Sequence, residues 1–346
     1  MREVKLALLG FGNAARAFME LLMEKEREIR ESRGVRVSVT AVATASRGCL
    51  ENPAGLSMKK HMAYLKEAGS FDAADPDFCK KSPLELAETA HYDILLEMTP
   101  LEIFSGEPAI SHMEAALKRG KHAVSANKGP LAWGYRRLRD LAAAKDCCFF
   151  FETAVMDGTP VFNLRNETLK FCKVTGIKGI LNSTTNFILE EMERGTDRER
   201  IMEEGRRRGF IEADPAMDIE GWDAAAKLTV LMNVLMDADL DPTRIRRQGV
   251  ENIGPADIEA ARKKGCKIKL LCQGTLESGR PAGIVRPVEI SREDIYANLS
   301  GTSSVVTLET DLMGALSIVE HEPEIRQTGY GLFSDVIRVI DTKYKK

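Results

Sequence analysis

Apolar positions in the first 150 residues follow two alternating rhythms. Short continuous runs (VKLALLG, VRVSVTAVAT, YDILLEM, HAVSA and CCFFFET) are separated by stretches in which apolar residues recur every three or four positions. The continuous runs predict strands buried on both faces, and the periodic stretches predict helices near Asn13 to Ser32, Gly106 to Arg119 and Tyr135 to Lys145. That alternation predicts a parallel sheet with helices on both sides. Residues 49–82 break the rhythm with Asn52-Pro53, Gly69-Ser70 and Asp75-Pro76, so a long connection with one helix around Met58 to Glu67 is expected. After about residue 151, helices mix with the strands VTGIKGIL, KIKLLCQGT and AGIVRPVEI, a pattern that suits an α+β domain. Gly329-Tyr330-Gly331 is expected to precede a last amphipathic helix, Ser334 to Asp341. Two domains also agree with 346 residues at 44% hydrophobic content, since a single core stops growing well short of that length.

Composition narrows the partners. The net charge is −3 with both signs interspersed, so nothing in it points to nucleic acid or an anionic membrane surface, and a small molecule is the expected partner. Seven cysteines without a CxxC pair argue for a reducing compartment and against a disulfide framework or structural zinc. Cys147 and Cys148 open the run CCFFF and read as part of a buried strand, with an exposed nucleophilic thiol as the lesser alternative. The five histidines show no metal-ligand spacing and read as structural or surface residues. No signal-peptide pattern and no apolar stretch of membrane length is present, so a cytoplasmic protein is expected. Basic residues close the chain after the last helix, with no room expected for an appended regulatory domain.

Chemistry concentrates in GFIEADPAMDIEGWDAAAKL, residues 209–228. It holds Glu212, Asp214, Asp218 and Asp223 and then Lys227, at the start of an otherwise apolar run. If Gly221 opens a helix, the stripe at 223, 227, 231, 234, 235 and 238 places Lys227 on the interior face. Burial disfavours the charged lysine while Asp223, one turn earlier, favours it, and that balance suits proton transfer. The competing reading is an ordinary helical ion pair, worth about 0.2 to 0.5 kcal/mol. The apolar character of the segment from Ala224 to Met236 favours the functional one.

A second signal lies at the N-terminus. Strand VKLALLG runs into Gly10-Phe11-Gly12-Asn13-Ala14-Ala15 and then a helix, the context that the dinucleotide-binding fingerprint requires. Gly10 permits the tight turn, Gly12 lets backbone approach a pyrophosphate, and Ala15 allows close helix packing. The second strand is followed by Thr44-Ala45-Ser46-Arg47, with no acid to meet a ribose 2′-hydroxyl. Arg47 is placed to meet a 2′-phosphate, which favours NADP over NAD; a solvated surface arginine is the competing reading.

With this turn, the motifs Ser125-Ala-Asn-Lys-Gly-Pro-Leu-Ala132, Phe151-Glu-Thr-Ala-Val-Met-Asp-Gly-Thr-Pro160, Gly179-Ile-Leu-Asn-Ser-Thr-Thr-Asn-Phe187 and the Glu212 to Lys227 cluster occur in order. In this the chain resembles homoserine dehydrogenase over nearly its whole length. The resemblance implies NAD- or NADP-dependent interconversion of L-homoserine and L-aspartate 4-semialdehyde, in the threonine and methionine branch of amino-acid biosynthesis. It also implies a Rossmann-type domain of residues 1–150 completed by 329–346, an α+β catalytic and dimerisation domain of 151–328, and a homodimer. By the same resemblance Lys227 is the acid/base, Asp223 its substrate-binding neighbour, Glu212 the ligand of the substrate amino group and Asp218 its support. Lys128 would stand between nicotinamide and substrate, Thr184 would contact substrate, and Thr99, Ala126 and Gly331 would contact the cofactor. Carbonyls of Glu152, Val155, Asp157 and Thr159 would coordinate sodium. Met156-Asp157 departs from the small residues usual in that loop, Ala14-Ala15 from the usual Val and Gly, and Tyr330 from a small residue between the late glycines. Three rival readings stand beside this one: a related dehydrogenase with another substrate, a phosphorylating aldehyde dehydrogenase, for which no nucleophilic cysteine is convincingly placed, and a non-catalytic NADP-binding protein.

Overall fold

In a computed structural model, which describes residues 1–208, 211, 214–277 and 279–345, the chain divides into two units, Met1–Pro160 with Glu324–Lys346 and Val161–Pro323. The first is built around β1 (Arg2–Leu9), whose residues Leu6 to Leu9 are fully buried. It pairs in parallel with β2 (Val35–Ala43) on one side and, across the sheet, with β5 (Ile94–Glu97) on the other. The strands β3 (Cys49–Glu51), β4 (Phe78–Cys79), β6 (His122–Ser125) and β7 (Phe149–Phe150) complete the order β4-β3-β2-β1-β5-β6-β7. The order reverses between β1 and β5, and a doubly wound sheet binds its ligand in the crevice at the carboxyl ends beside such a reversal.

Two apolar layers cover this sheet. Helix α1 (Asn13–Arg33), α2 (Met58–Ala68) and the C-terminal helix Ile325–Lys343 bury Phe18, Met19, Leu65, Leu332 and Val336 on one face. On the other face α3 (Pro83–Thr89), α4 (Ala109–Lys118) and α5 (Gly129–Ala144) bury Leu86, Met113, Leu117 and Leu138. Basic Arg30 and Arg33 occupy the last turn of α1 and no acid occupies its first, so its positive end stays available to an anion.

The second unit carries a six-stranded sheet, β13-β12-β8-β10-β11-β9. Its strands are β8 (Val174–Ile180), β9 (Arg246–Arg247), β10 (Cys266–Glu277), β11 (Arg280–Ser291), β12 (Ser304–Thr310) and β13 (Gly314–Glu320), antiparallel except for the β11–β9 pair. Its helices are α6 (Val161–Asn163), α7 (Ser183–Glu193), α8 (Arg198–Arg208), α9 (Ala216–Ile219), α10 (Trp222–Met236) and α11 (Pro255–Lys263). No described helix of either unit is long and apolar enough to cross a membrane.

Several expectations change. The connection 49–82 adds β3 and β4 as antiparallel strands to its one helix, because Leu50 and Cys49 find partners in β2. Helix α5 begins at Gly129 instead of Tyr135, since Pro130 suits a helix's first turn. Cys147 and Cys148 precede β7, and burial pushes both thiols up, away from nucleophilic use.

The largest change concerns Gly329-Tyr330-Gly331, which lies inside the last helix and does not precede it. A Cβ at Gly329 would stand 2.7 Å from the Ala17 backbone, and one at Gly331 would meet Thr153 Oγ1 and, at 2.7 Å, the Cα of Gly158. These glycines serve close helix approach, so Gly331 seats the helix on the 151–160 segment. Asp335, fully buried on the same helix, accepts the Glu152 N–H at 2.8 Å, with Arg338 Nη1 at 3.5 Å. Burial pushes its carboxyl from 3.8 to about 7 against those partners.

Because the folded value lies above the unfolded one, the stability tied to Asp335 is greatest below about pH 4 and is lost as pH rises toward about 7. Replacing it by Asn keeps an acceptor for Glu152 and should remove a pH-dependent loss on the order of 4 kcal/mol. Urea unfolding of wild type and Asp335→Asn at both ends of this window checks it; identical pH slopes would contradict the assignment.

Candidate active site

The Lys227 cluster is assembled where β8 hands the chain to α7 and where α10 begins. Gly221, at φ 79°, opens α10 as expected, so Asp223 falls in its first turn and Lys227 one turn later. The helix ends at Met236, with Asp237 at φ 52°, so Ala238 does not extend the stripe. The Lys227 ammonium stands 3.0 Å from Asp223 Oδ2, with side-chain exposures of 19% and 17%. It also donates to the Leu181 carbonyl at 2.8 Å, just past β8. The pair is therefore sheltered but reachable, unlike an exposed helical ion pair.

Asn182 holds the rest together. Its Oδ1 caps α7 by accepting the Thr185 N–H at 2.8 Å, while Nδ2 donates to Asp218 at 2.6 Å and to Asp223 at 2.9 Å. Thr184 gives Asp218 a further side-chain hydrogen bond. Burial, and next the charge of Asp223, push the Asp218 carboxyl up; Asn182, Lys227 and Thr184 oppose that shift. Thr184, Asp218, Asp223 and Lys227 are thus brought into one cluster. Glu212 lies outside the described residues. Sequence reasoning missed the roles of Asn182 and the Leu181 carbonyl, although both lie within three positions of the singled-out Thr184.

In the first unit, Gly10 turns at φ 91°, and a side chain there would run into the Met98 carbonyl. Gly12 precedes α1 with open space around its would-be Cβ, and Asn13 and Ala14 start the helix with fully buried Ala15 packed beneath. Phe11 is buried against Phe71 at 5.9 Å between ring centroids. Arg47 donates to the Phe11 carbonyl at 3.3 Å, so it lies across the turn and is not a freely solvated arginine. Gly10 to Gly12, Arg47 and Thr99 share a crevice of about 460 Å³. Backbone amides, a free helix N-terminus and a neighbouring guanidinium fit a pyrophosphate-linked dinucleotide.

Ala126 donates its N–H to the Glu97 carbonyl at 2.9 Å, and Asn127 Nδ2 reaches the Thr99 carbonyl at 3.0 Å, so these two positions are coupled through one asparagine. Lys128 sits half-buried where α5 begins. Tyr330 is 57% exposed and stacks on Phe333. In the 151–160 segment, Met156, Asp157 and Gly158 are consecutively left-handed at φ 57°, 48° and 98°. The Asp157 carboxylate turns to the Thr328 hydroxyl at 3.1 Å, and the Met156 side chain is buried. His112, read from sequence as structural or surface, is buried against Glu97 and lines the crevice.

A chain with a phosphate-binding turn on a doubly wound sheet and a sheltered lysine–carboxylate pair falls in the class of dinucleotide-dependent oxidoreductases. Comparison makes the class specific. The family profile for the homoserine dehydrogenase NAD-binding domain matches residues 10–152, and that for homoserine dehydrogenase matches 160–337. The NAD(+)-dependent homoserine dehydrogenase of Pseudomonas canavaninivorans is 32% identical and is matched over 100% of this chain and 99% of its own. A crystal structure from Archaeoglobus fulgidus superposes with a TM-score of 0.86 at 28% identity, covering 97% of this chain and 99% of that one. A hyperthermophilic archaeal homoserine dehydrogenase in complex with NADPH gives 0.82 at 25% identity, with 99% of both chains covered. The chain belongs to the homoserine dehydrogenase family, NAD(P)-dependent oxidoreductases that act on a CH–OH group.

Replacing Asn182 by Ala removes a helix cap and the donor shared by two carboxylates, and should cost roughly 2 to 4 kcal/mol. Asp218 gains a proton more readily than an ordinary carboxyl, so the deficit should narrow as pH falls through the carboxylate range. Urea midpoints at neutral and acid pH test this. A deficit independent of pH would show that the bridge between carboxylates is not what Asn182 contributes.

Proposed function

We propose that this enzyme interconverts L-homoserine and L-aspartate 4-semialdehyde with Lys227 as its acid/base. The observation that carries this reading is the sheltered 3.0 Å pair of Lys227 and Asp223. When bound, NAD(P) supplies the hydride acceptor or donor. Lys227 takes the proton from the substrate hydroxyl in the oxidative direction and returns it to the carbonyl oxygen in the reductive one. Asp223 fixes the ammonium and meets the substrate, Asp218 supports that ligand set through Asn182, and Glu212 binds the substrate amino group. Thr184 offers its hydroxyl to the substrate, and Lys128 stabilises the developing alkoxide.

On the cofactor side, Gly10, Phe11, Gly12, Asn13 and Ala14 receive the pyrophosphate with Ala15 packed beneath them, Thr99, Ala126 and Gly331 line the path to the nicotinamide, and Arg47 favours a 2′-phosphate and so NADP. Support for Arg47 is its place across the turn. The carbonyls of Glu152, Val155, Asp157 and Thr159 would hold sodium. The reading is supported by the three left-handed residues that curl the backbone there. A homodimer working in the cytoplasm completes the proposal.

The test is homoserine-dependent absorbance at the nicotinamide band with NAD or NADP, for wild type and Lys227→Ala. Turnover should fall by about 10²- to 10⁴-fold in the variant, with cofactor affinity unchanged. Equal loss of turnover and affinity would remove Lys227 from the proton-transfer role. Cofactor binding by wild type without any homoserine-dependent reduction would favour another substrate or a non-catalytic protein.

A further inference from the structure

The crevice of the first unit contains a buried acid–imidazole contact that neither the phosphate cradle nor the Lys227 cluster uses. Glu97 ends the apolar strand Ile94-Leu95-Leu96-Glu97 and is fully buried. Its Oε1 accepts from the Thr99 N–H at 2.8 Å and from the Thr99 hydroxyl, and Oε2 faces His112 Nδ1 at 2.7 Å. A carboxylate at this depth is tolerated only where donors meet it, and here three do.

Two consequences follow from that geometry. The ring nitrogen facing a carboxylate must carry the hydrogen, so Nδ1 is the donor and Nε2 is the only polar ring atom left over. His112 makes no other side-chain hydrogen bond among the described residues and lines the crevice. The same contact fixes the turn after β5, since Glu97 grips Thr99, and Met98 abuts Gly10.

Besides Gly10 to Gly12 and Thr99, assigned above to the pyrophosphate and to the start of the nicotinamide path, the crevice is lined by Arg47, Pro83, Pro108 and His112, and this part is read as the adenosine half of the nucleotide site. It is walled by Arg47, which follows β2 where the adenosine ribose is met, while Ala126 and Lys128 beyond β6 do not line it. Pro83 and Pro108 line the crevice together with His112 and add apolar surface to it. A largely apolar crevice with polar groups at a few points suits a purine base.

We propose that Glu97 and His112 read the base of the cofactor, with Nε2 of His112, the ring nitrogen turned away from Glu97, accepting a hydrogen bond from the 6-amino group of adenine. Glu97 is a positioning residue that holds the Nδ1–H tautomer and the ring's direction. This rests on the reading of the crevice as the adenosine half.

The experiment is a binding titration followed by nicotinamide fluorescence, with NADH and with its 6-deamino form, in which hypoxanthine replaces adenine and a carbonyl replaces the amino donor. Wild type should bind NADH about 5- to 30-fold more tightly than the deamino form. His112→Ala should bind the two alike, NADH having weakened to the level of the deamino form. Glu97→Gln should invert the preference. Its carbonyl must stay on the Thr99 N–H, which turns the amide NH2 to Nδ1, so the ring moves its hydrogen to Nε2 and offers a donor to the hypoxanthine carbonyl. A merely structural Glu97 predicts no inversion, and this variant also decides the matter should His112→Ala fail to fold. Equal binding of both forms by wild type, or discrimination surviving in His112→Ala, would overturn the proposal while leaving the nucleotide site standing. Binding of neither form would overturn both.

Discussion

Two carboxylates brought together in a half-dry corner impose the constraint around which the second unit is arranged. Asp218 and Asp223 repel, and burial adds to the cost, which is why the Asp218 carboxyl is pushed up. One asparagine amide bonded to both and one ammonium bonded to Asp223 offset that cost. Each of those compensating groups is fixed by secondary structure: Asn182 by capping α7, Lys227 by its place one turn into α10 and by the carbonyl that ends the β8 segment. The cluster is therefore held in one arrangement before any ligand arrives, which is what the roles proposed for Asp223 and Lys227 require.

The first unit solves a complementary problem with backbone. Its cradle has no acidic side chain in the first turn of α1, and the tight turn at Gly10 is shaped by the strand end at Met98, which Glu97 grips from beneath through Thr99. A second clasp acts at the far end of the sheet, where Asp335 and the close-packed Gly331 and Gly158 hold the C-terminal helix on the segment that follows β7. Residues distant in sequence thus complete this unit, and they meet at the loop read as a cation site.

The sequence made the strand and helix alternation legible because buried parallel strands are continuous apolar runs and surface helices are periodic. Lys227 stood out for the same reason, a charge in an apolar run. Glu97 in ILLEM is the same signal and was passed over, and with it His112, whose helical position looks like any core histidine. Asn182 was illegible because its value lies in bridging two carboxylates 36 and 41 residues away. The Gly-Tyr-Gly motif misled because glycine marks both a turn and a close approach, and only the packing of Gly329 on Ala17 distinguishes them.

The central claim is that the Asp223–Lys227 pair acts in the proton-transfer step. Its most direct test is the single-turnover rate of nicotinamide oxidation with aspartate 4-semialdehyde in Asp223→Asn, measured with the cofactor Kd in the same preparation. The account predicts a rate lower by about 10²-fold or more at an unchanged Kd. A rate equal to that of wild type would contradict it.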